Sequence, residues 1–400
     1  MTYRNKLKFK KSSVVLLLIS LYGANYFVFE RIFFFNELLS LIGFLYFIHY
    51  SFTKDFKFRF PRNTIYKYVL FFIILCVFYA FISLWLKTNW YYYFRNLSII
   101  YSVFSFFIGF YLYKAQWGFF QKIRIWIYGY AFSSFILRWP NLIDRNAYMF
   151  WFAFLQKDWK PISILLLTIV SCIYVAAYTS ASVVMVLVAI LAFRFFIKTY
   201  LQFKIVLFLS ILCFATIFSL AIPFLKLYKV SSSLFGDVVY VYSQHPWFNI
   251  DHNTSWRLIF WYRTIVESFP QNILGIGVGT PMLPYLSNST TSDLMNSDEY
   301  IAHVIGAHNT FVTVFIRFGI LSLAVMGLIY RSVLREFFFF KKYYYNHRND
   351  ISLFFAFIAI TVVGSFNLLI ETSTLASLYW ISLGFIAGAI NFRKYGKPPM

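Results

Sequence analysis

Residues Tyr68 to Leu86 read YVLFFIILCVFYAFISLWL, an uncharged apolar run bounded by Lys67 and Lys87. About 20 such residues are what an α-helix needs to cross the hydrocarbon core of a bilayer, where each backbone N–H and C=O must find its partner within the segment. Comparable runs recur along the whole chain. The composition agrees: of 400 residues 60% are hydrophobic, 24% aromatic and only 12% charged. The sequence therefore predicts an all-α, polytopic integral membrane protein with about 12 transmembrane helices. Because the helices share one bilayer, residues 1–400 are read as a single integral domain.

The expected spans are Ser13 to Phe29, Ile32 to Phe52, Tyr68 to Leu86, Asn96 to Tyr113, Ile125 to Leu137, Ala147 to Gln156, Pro161 to Tyr178, Ala181 to Phe196, Ile205 to Leu225, Ala307 to Tyr330, Ile351 to Ile370 and Thr374 to Phe392. Ala147 to Gln156 is short enough to be a half-helix. The formal net charge of +22 would suggest nucleic acid in a soluble chain. Here the basic residues sit mainly in short loops on alternate sides of the apolar runs, which points to membrane topology and no nucleic-acid partner. The positive-inside rule places both termini in the cytoplasm and residues 226–306 outside. Arg4, Lys6, Lys8, Lys10 and Lys11 precede the first run, but no small-x-small cleavage site follows, so a retained helix is expected. The 3 cysteines, Cys76, Cys172 and Cys213, all fall within apolar spans, which argues for packing and against a disulfide framework.

Two connections are long. Arg331 to Asp350, with Phe337 to Phe340 and Tyr343 to Tyr345 beside Lys341 and Lys342, reads as a hairpin on the anionic inner leaflet. The segment from Lys226 to Gly306 reads as one long extracytoplasmic loop, where function is to be sought. Within it, SWRLIFWYRTIVESFP (Ser255 to Pro270) predicts a helix over Trp256 to Phe269: Leu258, Tyr262, Ile265, Val266 and Phe269 share one face, while Arg257, Thr264 and Ser268 lie on another with Trp261. Pro270 stops it. Such a helix either lies on the membrane surface or caps the bundle with its polar face over a cavity.

AHNTFVTVFIRFGILS (Ala307 to Ser322) returns the chain to the bilayer. His308 and Asn309 stand where the free N–H groups and the positive end of the helix dipole favour anions. The same field disfavours imidazolium, so His308 is expected to be neutral and able to accept a proton, as a general base must. The plainer alternative is an interfacial histidine at a helix start. Arg257 and Arg263 in the loop helix, with Arg138 and Arg145 in the outer turn RWPNLIDRNAY, are cations on the side where cations are unusual. Guanidinium grips a diphosphate in bidentate fashion. Exposed pairs such as Arg263 with Glu267 or Arg145 with Asp144 are the alternative.

Arg317 lies deeper in the returning span, about 180° around the helix from His308 and ~13 Å further along, so it should face the protein interior or a wet cavity. Gly319, on the His308 face, should with Ser322 permit close helix packing. Gly275 to Gly279 (GIGVG) has no buried strand before it and Pro281 soon after, so a turn is expected and not a dinucleotide fingerprint. His245, His252, His303 and His308 lack the short spacing of a metal-ligand pair, and no metal is expected.

An arginine helix in an outer loop, a proline and glycine turn, then His-Asn with GxxS further along the same helix: in this order the chain resembles the O-antigen ligase and polymerase family. The specific part of the resemblance is Arg257 to Ser322. It implies a GT-C-like membrane fold and glycosyl transfer from an undecaprenyl-diphosphate-linked oligosaccharide, outside the bacterial cytoplasmic (inner) membrane, with no metal and no cofactor. It also implies membrane lipid and a chain-length regulator protein as partners. Carried over by motif, His308 and Arg257 are the catalytic residues, with Asn309, Arg263, Arg138, Arg145 and Trp261 binding substrate. Where ligase-like members have Ser/Thr-Arg opening a central span, this chain has Ser180-Ala181, and no arginine lies between Gly279 and His308. Polymerisation of repeat units into surface polysaccharide is therefore expected over O-antigen ligation to lipid A-core. A non-enzymatic alternative is a lipid-linked oligosaccharide flippase, which would not need a long ordered outer loop.

Overall fold

The computed structural model describes residues 35–51, 61–85, 90–111, 113, 261, 264–265, 270–280, 282, 306–342, 354, 357–358, 360–362, 364–365, 369–371 and 373–395. Their secondary structure is entirely helical. The elements are α1 (Phe35–Ser51), α2 (Thr64–Trp85), α3 (Trp90–Tyr101), a 3-10 turn (Ser102–Phe104) that continues α3 into helical residues 105–111, the short α4 (Gln271–Leu274), α5 (Thr310–Lys342) and α6 (Ser373–Tyr395). Among the described residues three helices, Thr64–Trp85, Tyr93–Tyr111 and Thr310–Glu336, are long and apolar enough to cross a membrane. The expected spans at 13–29, 125–137, 147–156, 161–178, 181–196 and 205–225 lie outside the described residues.

Helix ends differ from the hydropathy boundaries, because capping sets them. Asn63 starts α2 ahead of its apolar run: its Oδ1 accepts the Tyr66 N–H at 3.1 Å and its carbonyl the Lys67 N–H at 3.2 Å. Its Nδ2 donates to the Ala387 carbonyl at 2.7 Å and so ties α2 to α6. α5 does not stop at Tyr330; residues 331–342 of the expected inner hairpin continue the helix. Buried Glu336 anchors this extension to α6, with Lys394 Nζ at 2.6 and 2.8 Å from its two carboxyl oxygens.

The helices have no hydrophobic drive toward one another in lipid, so close packing and interhelical hydrogen bonds must hold them. The core supplies both. Tyr66 packs among Phe106, Phe107 and Phe110, with ring centroids at 6.0, 5.5 and 4.9 Å. Its hydroxyl shares hydrogen bonds with Ser51 Oγ and the Tyr111 hydroxyl, each at 3.2 Å. Further along, Phe72 contacts Trp380 and Phe318. Gly109 and Gly384 lie against the backbones of Ile381 and Phe106 respectively, so the α3 continuation and α6 cross with their main chains in contact. On the other side of α2, Phe71, Ile74, Phe78 and Phe81 are exposed. A helix apolar on every side suits a bilayer.

Candidate functional site at the start of α5

The site begins with a break in a helix. Gly319 has φ 71 and ψ −179 inside α5, so the helix is two segments joined at a kink and not the continuous span expected from hydropathy. A Cβ there would lie 2.6 Å from the Ile273 carbonyl oxygen, which only glycine avoids. The break frees the carbonyls of Ile316 and Arg317, which accept the N–H groups of Ile276 at 2.8 Å and Gly277 at 2.9 Å. GIGVG is thus a turn wedged into the kink, with Gly275 at φ 88. Neighbouring helices fasten the turn. The Tyr79 hydroxyl donates to the Leu274 carbonyl, the Val278 N–H donates to Ser83 Oγ at 2.9 Å, and Asn96 Nδ2 donates to the Val278 carbonyl at 2.9 Å.

Arg317 is buried at this junction, and its Nη1 donates to the carbonyls of Gly277, at 3.1 Å, and Thr280. An intramembrane guanidinium is tolerable when backbone carbonyls surround it in this way. Towards the start of the helix, Thr313 donates its hydroxyl to Glu371 Oε1. Glu371 stands just before α6 and is only partly exposed. Burial raises its carboxyl above the usual carboxylate range, opposed by the Thr313 hydroxyl, the charges of Arg317 and Arg95, and the Ala307 backbone.

The entrance to α5 is strongly constrained. Trp261, itself buried, donates its indole N–H to the Ala307 carbonyl at 2.5 Å. His308 follows with φ 50, the left-handed region that a residue with a Cβ seldom occupies. Asn309 is the N-cap: its Oδ1 accepts from Phe311 N at 2.9 Å and Val312 N at 3.2 Å, and its carbonyl accepts from Thr313 N at 2.9 Å. Its Nδ2 and the hydroxyl of Thr310 are buried without a hydrogen-bond partner among the described residues. Buried donors left over in this way are uncommon in native structures.

Of the residues singled out from the sequence, His308, Asn309 and Trp261 come together here. The helix starts at Thr310, so His308 lies just outside its first turn, partly exposed amid buried neighbours. Trp261 is buried against the Ala307 peptide and Asn309 caps the helix. Arg257, Arg263, Arg138 and Arg145 lie outside the described residues. Glu371 and Arg95 belong to no motif, yet each had a signal. Arg95 is a cation on the same expected outer side as Arg138 and Arg145, and Glu371 is a rare acid in the turn between the last two apolar runs. The chain matches no protein family and no curated protein.

Proposed function

We propose that the chain is a membrane-embedded glycosyltransferase that polymerises undecaprenyl-diphosphate-linked oligosaccharide repeat units on the outer face of the bacterial cytoplasmic membrane. The observation that carries this is His308: a partly exposed imidazole in a left-handed backbone conformation, set between a buried peptide and a helix cap. Backbone strain of about 1–3 kcal/mol persists only where the surroundings over-determine it, and it concentrates at functional positions. The sequence order around His308, from Arg257 to Ser322, supplies the reaction class.

In this mechanism His308 takes the proton of an acceptor hydroxyl as that oxygen attacks the anomeric carbon of the donor. The glycosidic bond to the diphosphate breaks, undecaprenyl diphosphate leaves, and a single displacement inverts the centre. Diphosphate is already a good leaving group, so orientation and charge stabilisation supply most of the rate. Arg257, Arg263, Arg138 and Arg145 are the guanidinium groups assigned to the donor diphosphate. Apolar helix surfaces suit the prenyl chain.

The test is His308→Ala in cells, with the length of surface glycan read on gels and protein abundance measured in the membrane fraction. Loss of long glycan at normal abundance is expected, with single repeat units remaining on the surface or on the carrier lipid. Unchanged glycan removes His308 from the chemistry. Full-length polymer accumulating on the carrier would instead make the enzyme a ligase.

A further inference from the structure

We propose that Glu371 is a positioning residue for His308, acting through the peptide of Ala307 that precedes it; the proposal names a further residue of the glycosyl-transfer site and rests on that reading. Three contacts carry it. The Glu371 carboxylate interacts with the backbone of Ala307, whose carbonyl accepts the Trp261 indole N–H. The residue before His308 is thus gripped by Trp261 on one side and by Glu371, just ahead of α6, on the other. Glu371 is itself held by the Thr313 hydroxyl, one turn beyond the Asn309 cap. Glu371 therefore bridges the first turn of α5 and the residue that leads into it.

His308 stands inside that bridge, and its left-handed conformation is what the bridge has to maintain. Without it, Ala307 would lose its hold from the Glu371 side, and the backbone at residue 308 could relax to the extended or right-handed regions that L-residues prefer. Among the described residues, the charged groups facing Glu371 are Arg317 from α5 and Arg95 from α3. They keep a carboxylate tolerable in this partly buried place and leave its oxygens as acceptors.

The test reads the geometry of His308 without requiring any glycan product. Full-length protein in native membrane vesicles is treated with diethyl pyrocarbonate, and modification of the peptide carrying His308 is followed by mass spectrometry, with His308→Ala as the blank. Glu371→Ala should change the His308 modification rate by about threefold or more, because the left-handed residue is released. Glu371→Gln keeps an acceptor oxygen and should restore a rate close to that of the wild type. Should Glu371→Ala fail to insert, Thr313→Val, which removes the hydroxyl holding Glu371, should shift the rate in the same direction. An unchanged rate in the inserted variants overturns the positioning role, and so does a Gln variant indistinguishable from Ala. If the rates shift as stated while His308→Ala cells make normal glycan, Glu371 positions His308 but the glycosyl-transfer reading falls.

Discussion

Glu371 carries the clearest pH signature of any described side chain outside the apolar helices. Burial raises its proton affinity, so the folded chain holds the Glu371 proton to a higher pH than the unfolded chain does. More protons bound in the folded state means that stability falls with rising pH. The contribution is complete below the ordinary glutamate range of about 4.3 and is lost as pH rises through the higher folded value. Glu371→Gln mimics the protonated carboxyl at every pH. The thermal unfolding midpoint of the wild type, relative to this variant, should therefore fall as the pH is raised from about 4 towards neutrality and level off beyond the folded value. A difference that stays flat over that interval would falsify the raised affinity.

Among elements, α5 shows how a helix can be broken and still be satisfied. The kink costs intrahelical hydrogen bonds, and the GIGVG turn replaces them with donors of its own. The turn needs Gly275 and the helix needs Gly319 for the same reason, since the two backbones approach too closely for a Cβ. Gly319→Ala should destabilise the protein by at least about 1–3 kcal/mol, seen as a lower unfolding temperature in detergent and a smaller monodisperse fraction. Gly327 lies on the same element, where an added methyl group would meet nothing within 4 Å, so Gly327→Ala should be neutral or stabilising by up to about 1 kcal/mol. Equal effects of the two substitutions would mean that the kink is not a constraint on the fold.

At the scale of the whole molecule, the described helices meet at two poles. Ser51, Tyr66 and Tyr111 share one, with Asn63, Glu336 and Lys394 at the same ends of their helices. The GIGVG turn, Asn96, Thr313 and Glu371 share the other. The sequence-based topology assigns the first pole to the cytoplasm and the second to the outside. A cysteine introduced at Ser289 should then react with an impermeant thiol reagent added to intact cells, or to cells with a permeabilised outer membrane, while one at Asn346 should react only after lysis. The opposite labelling pattern would invert the topology and place His308 on the cytoplasmic side, against the proposed function.

What the sequence determined by itself follows from the solvent. Hydrocarbon offers no hydrogen bonds, so an uncharged apolar run such as Tyr68 to Leu86 is committed to a helix whatever surrounds it. Some local structure was legible too: the GIGVG turn could be read from its glycines and Pro281, and the start of α5 at His308 and Asn309 from their place at the edge of an apolar run. The break at Gly319, the continuation of α5 past Tyr330 and the assignment of Glu371 to the His308 entrance were decided only by tertiary structure. Each depends on partners far away in sequence: Gly277 lies 40 residues from Arg317, Thr313 lies 58 from Glu371, and Lys394 lies 58 from Glu336. A glycine in an apolar run is compatible with a straight helix or a kinked one. The kink is stable here because a distant turn brings N–H groups to the carbonyls that the break exposes.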